Sequence, residues 1–261
     1  EIRFCDWSSD VCSSDLRNEK AIGASIRNFG MIWPIGQPDG DLYERAMLSR
    51  RIWKEVCDGA GIWCDEVGSL HVAHNKDEAI VLNELVEIYK HRGYQFLNAD
   101  DTKTRSAVVV PENLQGSLYS PHEMIVDPRI AIAKIPAWLT EKYGVDFLFG
   151  KAVTDIAYPS VYTGTEEWEA DEIYVCSGME FETLYPQLFA GIPITKCKLQ
   201  MMRMAAQPDN ERIGPAICGA LSLTHYQGFK IAPSLNALQN RFQAESGSRS
   251  EERRVGKECR S

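Results

Sequence analysis

Helical and strand-like hydrophobic patterns alternate along this chain, and that alternation constrains its fold more than any other feature. A helical period begins at Asp41 and stops at Gly61, and the segment 68–74 then alternates like a strand, with its apolar residues on one face. A second amphipathic helix is predicted over residues 77–91, ahead of Gly93. The chain therefore needs a fold that contains both α-helices and β-strands.

The second half continues the alternation. Asp127 is expected to cap a helix with Pro128 in its first position, and Pro136 predicts a kink inside it. Further strands are expected at 145–150, 151–158, 171–179, 195–207 and 214–229, a hairpin at 160–170, and a strand followed by a short helix at 94–106. The segment 171–179 is apolar and ends in small residues, as buried strands of α/β folds do where ligands bind. Two sheet-like groups that alternate along the chain indicate two interleaved domains.

Both ends differ in composition from the rest. Residues 1–16 are rich in Ser, Asp and Cys, and residues 249–261 are a charged run without an apolar face. Composition alone favours disordered tails. Both strings also resemble translations of sequencing-library adapters, so we exclude them from fold reasoning. The expected natural part is about 17–248, cut at both ends.

Charge excludes several classes of partner. Without the two tails, 22 of the 28 basic and 30 of the 37 acidic side chains remain, so the net charge is −8. This balance argues against binding to nucleic acid or to an anionic membrane surface. No apolar run reaches the roughly 18 residues that a membrane span needs.

The cysteines indicate a reducing compartment and no metal site. Five of them lie between the tails: Cys57, Cys64, Cys176, Cys197 and Cys218. An odd number without framework spacing is typical of reduced, cytoplasmic thiols. Cys57 and Cys64 precede His71 and His74 closely, but a zinc site needs a tighter Cys pair and a matched His pair. We expect no metal and a cytoplasmic location.

The segment 17–37 carries the strongest indication of ligand binding. Gly23, Ala24 and Ser25 are small, and small residues let a backbone approach a flat ligand or a pyrophosphate closely. Arg27 offers a fork of donors for phosphate or carboxylate oxygens. A glycine-bearing surface loop with a solvated arginine explains the same residues, so this pattern alone leaves both interpretations open.

Four stretches together resemble one family: "GASIRNFGMIWPIGQPDG", "LYSPHEMIVDPR", "YVCSGMEFETLYP" and "KCKLQMMRM". They are similar to the FAD-dependent oxidoreductases of the D-amino-acid oxidase, glycine oxidase and sarcosine oxidase superfamily, and most of all to a subgroup associated with phosphonate catabolism. The resemblance covers nearly all of 17–248. It implies an α/β (mixed α+β) fold, with an incomplete Rossmann-like FAD-binding domain interleaved with an antiparallel-sheet substrate domain.

The implied domains alternate along the chain. They are adapter-derived tails at 1–16 and 249–261, FAD-binding parts at 17–60 and 121–190, and substrate-domain parts at 61–120 and 191–248. In this family a strand, a Gly-rich loop, a helix and a second strand come first, and the second strand ends in an acid that binds the ribose. That unit is not expected here, and Asp15 is no substitute for the acid. The chain as printed is therefore expected to be inactive.

The resemblance also implies which residues bind FAD. Along the pyrophosphate and the flavin ring we expect Ser25, Arg27, Asn28 and Gly30. Val153 is expected beside the adenine. Ser177 and Gly178 are expected near the phosphates.

The active-site side rests on fewer residues. His122 and Glu123 lie in a loop, His225 and Tyr226 lie at an expected strand end, and we predict His122, His225 and Tyr226 as catalytic. A histidine with an ordinary pKa can bind or deprotonate an amine. Arg203 is expected to bind a substrate carboxylate or phosphonate. Half-exposed packing residues would look the same in the sequence.

The implied reaction is hydride transfer from the carbon next to an amine to the flavin, followed by hydrolysis of the imine, with oxygen as the expected electron acceptor. The expected partner is a small-molecule amine, and the sequence does not indicate an oligomeric state. Two alternatives stay open. One is a flavin dehydrogenase that passes electrons to a quinone or carrier. The other is a degenerate binding protein without catalytic activity.

Overall fold

The computed structural model describes residues 19–21, 23–178, 180–194 and 212–246, and within these it is a mixed α/β protein. The α-helices are α1 (Asp41–Ala60), α2 (Lys76–Ile88), α3 (Ala99–Arg105), α4 (Pro128–Tyr143), α5 (Pro186–Ala190) and α6 (Leu235–Ser246). The strands are β1 (Met31–Ile32), β2 (Cys64–Asp65), β3 (Ser69–Ala73), β4 (Gln95–Leu97), β5 (Gly116–Ser120), β6 (Met124–Val126), β7 (Asp155–Ala157), β8 (Ser160–Tyr162), β9 (Glu167–Glu169) and β10 (Ala216–Cys218). The predicted mixed fold class is confirmed.

Gly61 and Asp127 mark helix ends as predicted, whereas the two ends of α2 differ from the prediction. Helix α1 ends at Gly61, whose left-handed backbone lets its N–H donate to the Cys57 carbonyl. Asn75 and Glu78 form a reciprocal capping box at the start of α2. The Asp127 side chain caps α4 by accepting from the Arg129 N–H at 3.0 Å. Helix α2 stops at Ile88, earlier than predicted, because the next turn tightens into a 3-10 helix.

A four-stranded sheet in the order β10-β3-β5-β4 forms the centre of the fold. Strand β3 pairs antiparallel with β5 and parallel with β10, and all five of its residues are buried. Leu70 and Val72 share one face of β3, as predicted, and pack there in a small cluster. On the other face, Ala73 belongs to the main core, which contains α2 and Phe229.

Two smaller sheets complete the fold. Strands β1, β6 and β2 form an antiparallel sheet. Residues of this sheet pack with residues of α1 and α4 in one apolar cluster. Strands β7, β8 and β9 form a second antiparallel sheet, so the hairpin predicted at 160–170 is confirmed. None of the described helices is long and apolar enough to cross a membrane.

Three strand predictions need correction. Residues 145–150 and 173–177 have no strand, and Tyr174 and Val175 are 49% and 47% exposed rather than buried. Their apolar residues suit a strand, but no described strand pairs with either segment, and a strand requires a ladder partner. The segment 214–229 is a strand only over β10 and then forms two 3-10 turns. The segment 195–207 and both tails lie outside the described residues.

Candidate functional site

A tight turn after β1, residues 33–37, is the centre of the candidate site, and a buried carboxylate holds its first half. Glu123 is fully buried, and its two oxygens accept from the Ile35 N–H at 3.0 Å and from the Ser69 hydroxyl at 2.9 Å. Burial raises the pKa of Glu123 above its usual value, and these hydrogen bonds only partly oppose that shift. Glu123, which the sequence analysis placed in a loop on the active-site side, therefore anchors the turn.

A buried guanidinium holds the second half of the same turn. Arg92 Nη1 donates to the Gln37 carbonyl at 2.9 Å, and Nε and Nη2 donate to Asp39 at 3.0 and 2.5 Å. The Arg92 side chain is 1% exposed, because it lies between the rings of Tyr43 and Tyr89, at 3.6 and 3.9 Å from their centroids. We call Glu123 and Arg92, with the backbone groups they bind, the clamp.

His122 connects the two halves of the clamp. Its Nε2 donates to the Arg92 carbonyl at 2.8 Å, and its own carbonyl accepts from Arg50 Nε at 2.6 Å. The ring nitrogen that faces the protein is thus already engaged. The structure places His122 in a supporting network, and the catalytic role predicted for it stays a prediction.

Four rings form a closed cluster beside the turn. Trp33 lies 5.4 Å from His71 and 6.3 Å from Tyr226, and Phe229 lies 5.0 Å from His71 and 5.9 Å from Tyr226, measured between ring centroids. We call Trp33, His71, Tyr226 and Phe229 the ring cluster. His71 and Phe229 are fully buried, whereas Tyr226 is 39% exposed, so Tyr226 forms the side of the cluster that faces solvent.

Three polar atoms in the ring cluster lack a hydrogen-bond partner within the described structure: Trp33 Nε1, His71 Nδ1 and His71 Nε2. Burial lowers the pKa of His71 to about 4, so its imidazole is neutral at pH 7 and has one donor and one acceptor nitrogen. Buried polar atoms without partners are rare in proteins and frequently mark a functional site.

Two glycines permit the close packing that shapes the cluster. A side chain at Gly36 would collide with Tyr226 and Trp33. A side chain at Gly228 would lie 2.8 Å from the Gln37 carbonyl oxygen and 2.9 Å from that of Ile35. The segment 226–229 therefore packs directly on the backbone of the clamped turn.

Of the two residues predicted next to each other at 225 and 226, the structure brings only one to the site. Tyr226 joins the ring cluster, and burial, followed by the nearby Cys218, raises the pKa of its hydroxyl. His225 is exposed and its N–H donates to Ser222 at 3.2 Å. Cys218 is the register partner of His71, and burial, followed by the charge of Glu123, raises the pKa of its thiol to about 11.

The predicted cofactor loop lies upstream on the same segment. Ser25 is buried in a short 3-10 turn, and Asn28 closes that loop by donating to the Ala24 and Ser25 carbonyls at 3.1 and 2.9 Å. The Asn28 side chain also accepts from the Gly30 N–H at 2.9 Å, so its polar atoms serve the loop itself. Arg27 is exposed, and no hydrogen bond or ion pair is found for its guanidinium in the described residues.

Gly30 is required by the protein itself. Its backbone has φ of 66°, and any side chain there would collide with the Val126 carbonyl of β6. Val126 N–H in turn donates to the Gly30 carbonyl at 2.9 Å. This glycine therefore sets the path from the loop into β1, whether or not a ligand also approaches it.

The remaining predicted residues lie apart or outside the described chain. Val153 is partly buried just before β7, and Gly178 has a left-handed φ of 58° after a segment that forms no strand. Ser177 carbonyl accepts from the Glu180 N–H at 3.0 Å, which is a local contact. Arg203 lies outside the described residues.

No cluster of described residues has the composition of a metal site. His71 is buried in the ring cluster, while His74 Nδ1 donates to the Glu112 carbonyl at 3.0 Å. The two histidines therefore have different surroundings.

The sequence pattern of one protein family, DAO, described as FAD dependent oxidoreductase, matches residues 12–244. The chain belongs to this family of FAD-dependent oxidoreductases. The match begins inside the segment 1–16 that we set aside on composition, and it ends inside α6. FAD is therefore the cofactor of the family to which this chain belongs.

The solved structures to which this chain is similar are distant in sequence. The glycine oxidase of Bacillus cereus ATCC 14579 is 22% identical, with a TM-score of 0.50, over 59% of this chain and 44% of that one. The L-proline dehydrogenase of P. horikoshii is 16% identical, with a TM-score of 0.49, over 80% and 55%. The FAD-bound L-alpha-glycerophosphate oxidase of Mycoplasma pneumoniae is 21% identical, with a TM-score of 0.46, over 58% and 42%. The chain thus spans less than half the length of the glycine oxidase. No curated protein matches it.

The described residues fit FAD at two places. The small-residue turn at 24–26 and the unengaged Arg27 guanidinium suit the oxygens of a diphosphate. The unpaired nitrogens of Trp33 and His71 suit a ring or substrate with hydrogen-bonding groups. Sequence reasoning gave Trp33 and Phe229 no role and considered His71 only as a metal ligand, since nothing in their local patterns shows that three distant segments meet.

Proposed function

We propose that the whole protein uses FAD to oxidise a small amine or amino acid. One observation carries this proposal: a single segment, 23–37, supplies both the loop suited to a diphosphate and the turn that bears Trp33 in the ring cluster. Membership of the FAD-dependent oxidoreductase family supports the cofactor. The glycine oxidase, whose name specifies an amino acid, supports the substrate class.

We assign the cofactor contacts to the residues predicted from the sequence. Arg27 donates to the diphosphate oxygens, and Ser25 and Gly30 lie along the same part of the cofactor. Val153 contacts the adenine, and Ser177 and Gly178 the phosphate region. When bound, FAD supplies the chemistry of the reaction by accepting a hydride from the substrate carbon.

The ring cluster prepares the amine for that step. Its aromatic rings exclude water, and the neutral imidazole of His71 adds no positive charge. A site of low polarity disfavours the ammonium form of an amine, so it binds the neutral form, whose nitrogen lone pair is free. One imidazole nitrogen of His71 and Trp33 Nε1 donate to polar groups of the substrate, and Tyr226 borders the entrance.

Anaerobic mixing tests the proposal. Protein from the complete gene, loaded with FAD, is mixed with a panel of amino acids, alkylamines and aminophosphonates, and the flavin absorbance is followed. Bleaching by an amine supports the proposal, and bleaching by hydroxy acids alone contradicts it. Aminophosphonates come first because of the subgroup resemblance. Slow reoxidation of the bleached flavin by oxygen, with rapid reoxidation by a quinone, would make the protein a dehydrogenase instead of the oxidase we propose.

We also propose the domain division and the cytoplasmic location predicted from the sequence. The central sheet supports the division, because β3, β4 and β5 come from 61–120 and β10 comes from 191–248. Strand β2 departs from this division, because β2 lies in 61–120 but pairs with β6, which lies in 121–190. Among the described cysteines, Cys57, Cys64 and Cys218 are not joined in disulfides, which suits a reducing compartment.

We further propose that 1–16 and 249–261 are adapter-derived and that the source protein is longer. The resemblance of both strings to translated adapters and the 44% share of the glycine oxidase support this. Resequencing the gene in its source tests it. FAD titration of the printed chain beside the complete protein gives a second readout, and we expect only the complete protein to bind.

A further inference from the structure

Two thiols meet at the end of α1, away from the ring cluster. Cys57 is buried in the last turn of the helix, and its carbonyl accepts from the N–H groups of Gly61 and Ile62, the latter at 2.8 Å. These bonds reverse the chain, with Gly61 in the left-handed conformation that the reversal requires. The residues that follow are thereby directed back along the helix that contains Cys57.

Cys64 begins β2 and is held there by the sheet. It is paired with Val126 of β6, and its side chain packs against the apolar cluster to which Cys57 belongs. The last turn of α1 and the start of β2 thus place both thiols in one apolar cluster, where each sulfur acts on the other electrostatically. A disulfide needs this proximity and two backbones that already face each other.

The surroundings give the two thiols different roles. Cys57 is 1% exposed, whereas Cys64 is only partly buried, so a reagent in solution meets Cys64 first. Burial, followed by the neighbouring Cys64 sulfur, raises the pKa of Cys57 to about 12, so Cys57 keeps its proton at pH 7. The Lys54 ammonium, one helical turn before Cys57, acts electrostatically on both sulfurs.

We propose that Cys57 and Cys64 form an intramolecular disulfide when a hydroperoxide oxidises the protein. This site is independent of the proposed function, since it uses none of its residues. The pair has no assigned role in catalysis or in metal binding. The chemistry it needs is a thiol pair in contact, one member of which is accessible.

The reaction proceeds in two balanced steps. The Cys64 sulfur attacks the peroxide, so that an S–O bond forms, the O–O bond breaks and an alcohol, or water from hydrogen peroxide, leaves. The Cys57 sulfur then attacks the Cys64 sulfur, so that the S–S bond forms and the S–O bond breaks with loss of water. Two thiols and one hydroperoxide thus give one disulfide, one alcohol and one water, and the peroxide is reduced.

Mass spectrometry of one peptide tests the proposal. Trypsin cleaves after Lys54 and Lys76, and the peptide 55–76 contains Cys57 and Cys64 and no other cysteine. The full chain is treated with hydrogen peroxide, alkylated under denaturing conditions and digested. We expect this peptide to lose the mass of two hydrogen atoms and to take up no alkylating group, until a reductant restores both thiols.

Matched variants separate pairing from simple oxidation. In Cys57→Ser, we expect Cys64 to stop at the sulfenic acid, which dimedone traps; in Cys64→Ser, we expect Cys57 to stay reduced. The lone thiol of Cys218 in peptide 213–230 is the internal control and should stay alkylatable. Chain unfolded in urea should lose this selectivity.

Three outcomes would overturn the proposal. They are an alkylated pair after peroxide treatment, equal oxidation of Cys218, and a peptide that carries added oxygen without the loss of two hydrogens. Selective pairing that persists in urea would show that the fold does not direct it, and would overturn it as well.

Discussion

The clamp and the ring cluster both contact the turn 33–37, and they differ in how many of their buried polar atoms have hydrogen-bond partners. In the clamp, both Glu123 oxygens and all three Arg92 nitrogens have partners. In the ring cluster, Trp33 Nε1 and both His71 nitrogens have none among the described residues. The polar groups compared are buried in both regions, so burial alone does not distinguish them.

The difference teaches that pairing decides what a buried polar group does to stability. A buried donor or acceptor that loses its partner destabilises a fold by about 1–3 kcal/mol, whereas replacing an unpaired group by an apolar one is neutral or stabilising. Substitutions in the clamp and at His71 should therefore change the free energy of unfolding in opposite directions. The predictions that follow test this contrast.

Glu123→Ala should have the largest effect. It removes the acceptors of the Ile35 N–H and the Ser69 hydroxyl and leaves both donors buried, so the free energy of unfolding should fall by about 3 kcal/mol or more. Urea denaturation measures this. Glu123→Gln keeps one carbonyl oxygen for Ile35 and should lose clearly less. Equal losses in the two variants would mean that the cavity, rather than the hydrogen bonds, sets the effect.

Arg92→Ala should destabilise by about 2 kcal/mol, because bonds to Gln37 and Asp39 and the stacking on Tyr43 and Tyr89 are lost together. The matched control is Arg241→Ala. Arg241 also pairs with carboxylates, but its side chain is 27% exposed, so about 1 kcal/mol or less is expected. A control loss as large as that of Arg92 would show that burial of the guanidinium is irrelevant.

His71→Leu should stabilise the protein by about 1 kcal/mol at pH 7, because two unpaired nitrogens disappear while some ring contact is lost. In the wild type, the unfolded chain binds a proton near pH 6.5, and folded His71 binds it only near pH 4. Stability is therefore full above pH 6.5 and falls by up to about 3 kcal/mol as the pH drops to 4.

His71→Leu should remove that acid-side loss, and urea denaturation between pH 7 and 4 measures it. Exposed His225→Leu is the control and should keep the wild-type pH profile. Glu123, whose pKa is raised, acts in the other direction, since its stabilising contribution is lost as the pH rises above 4.5 through its folded pKa. Glu123→Gln should abolish that second slope, so the two groups can be separated. If His71→Leu lowers the free energy of unfolding at pH 7, the packing of the His71 ring outweighs the cost of its unpaired nitrogens, and the prediction is wrong.

Tyr226→Phe should have the smallest effect on stability, less than about 0.5 kcal/mol, because no described hydrogen bond involves its hydroxyl and the ring remains. In the complete protein the same change should slow anaerobic flavin reduction if the hydroxyl contacts substrate. His225→Phe, one residue away and outside the ring cluster, should leave that rate unchanged. The reverse pattern would move the site from Tyr226 to His225.

The sequence by itself determined the local structure where one segment contains all the information. The end of α1 and the start of α4 follow from Gly61 and Asp127, and the alternating pattern predicted that Leu70 and Val72 share one face of β3. The sequence also indicated membership of the FAD-dependent oxidoreductase family, through the four short stretches that resemble it. The strand prediction was wrong at 173–177, because it rested on the apolar residues of that segment alone and the sequence does not show whether a partner strand is present.

Only the tertiary structure decided which side chains meet. Trp33, His71 and Phe229 come from segments separated by at least 38 residues, so no spacing in the sequence brings them together. His122 and Tyr226 looked alike as candidates, yet one ring nitrogen of His122 is engaged by Arg92 while Tyr226 enters the ring cluster. The physical reason is that a capping or turn preference depends on neighbours along the chain. Burial, pairing and pKa depend on neighbours in space, which exist only once the chain has folded.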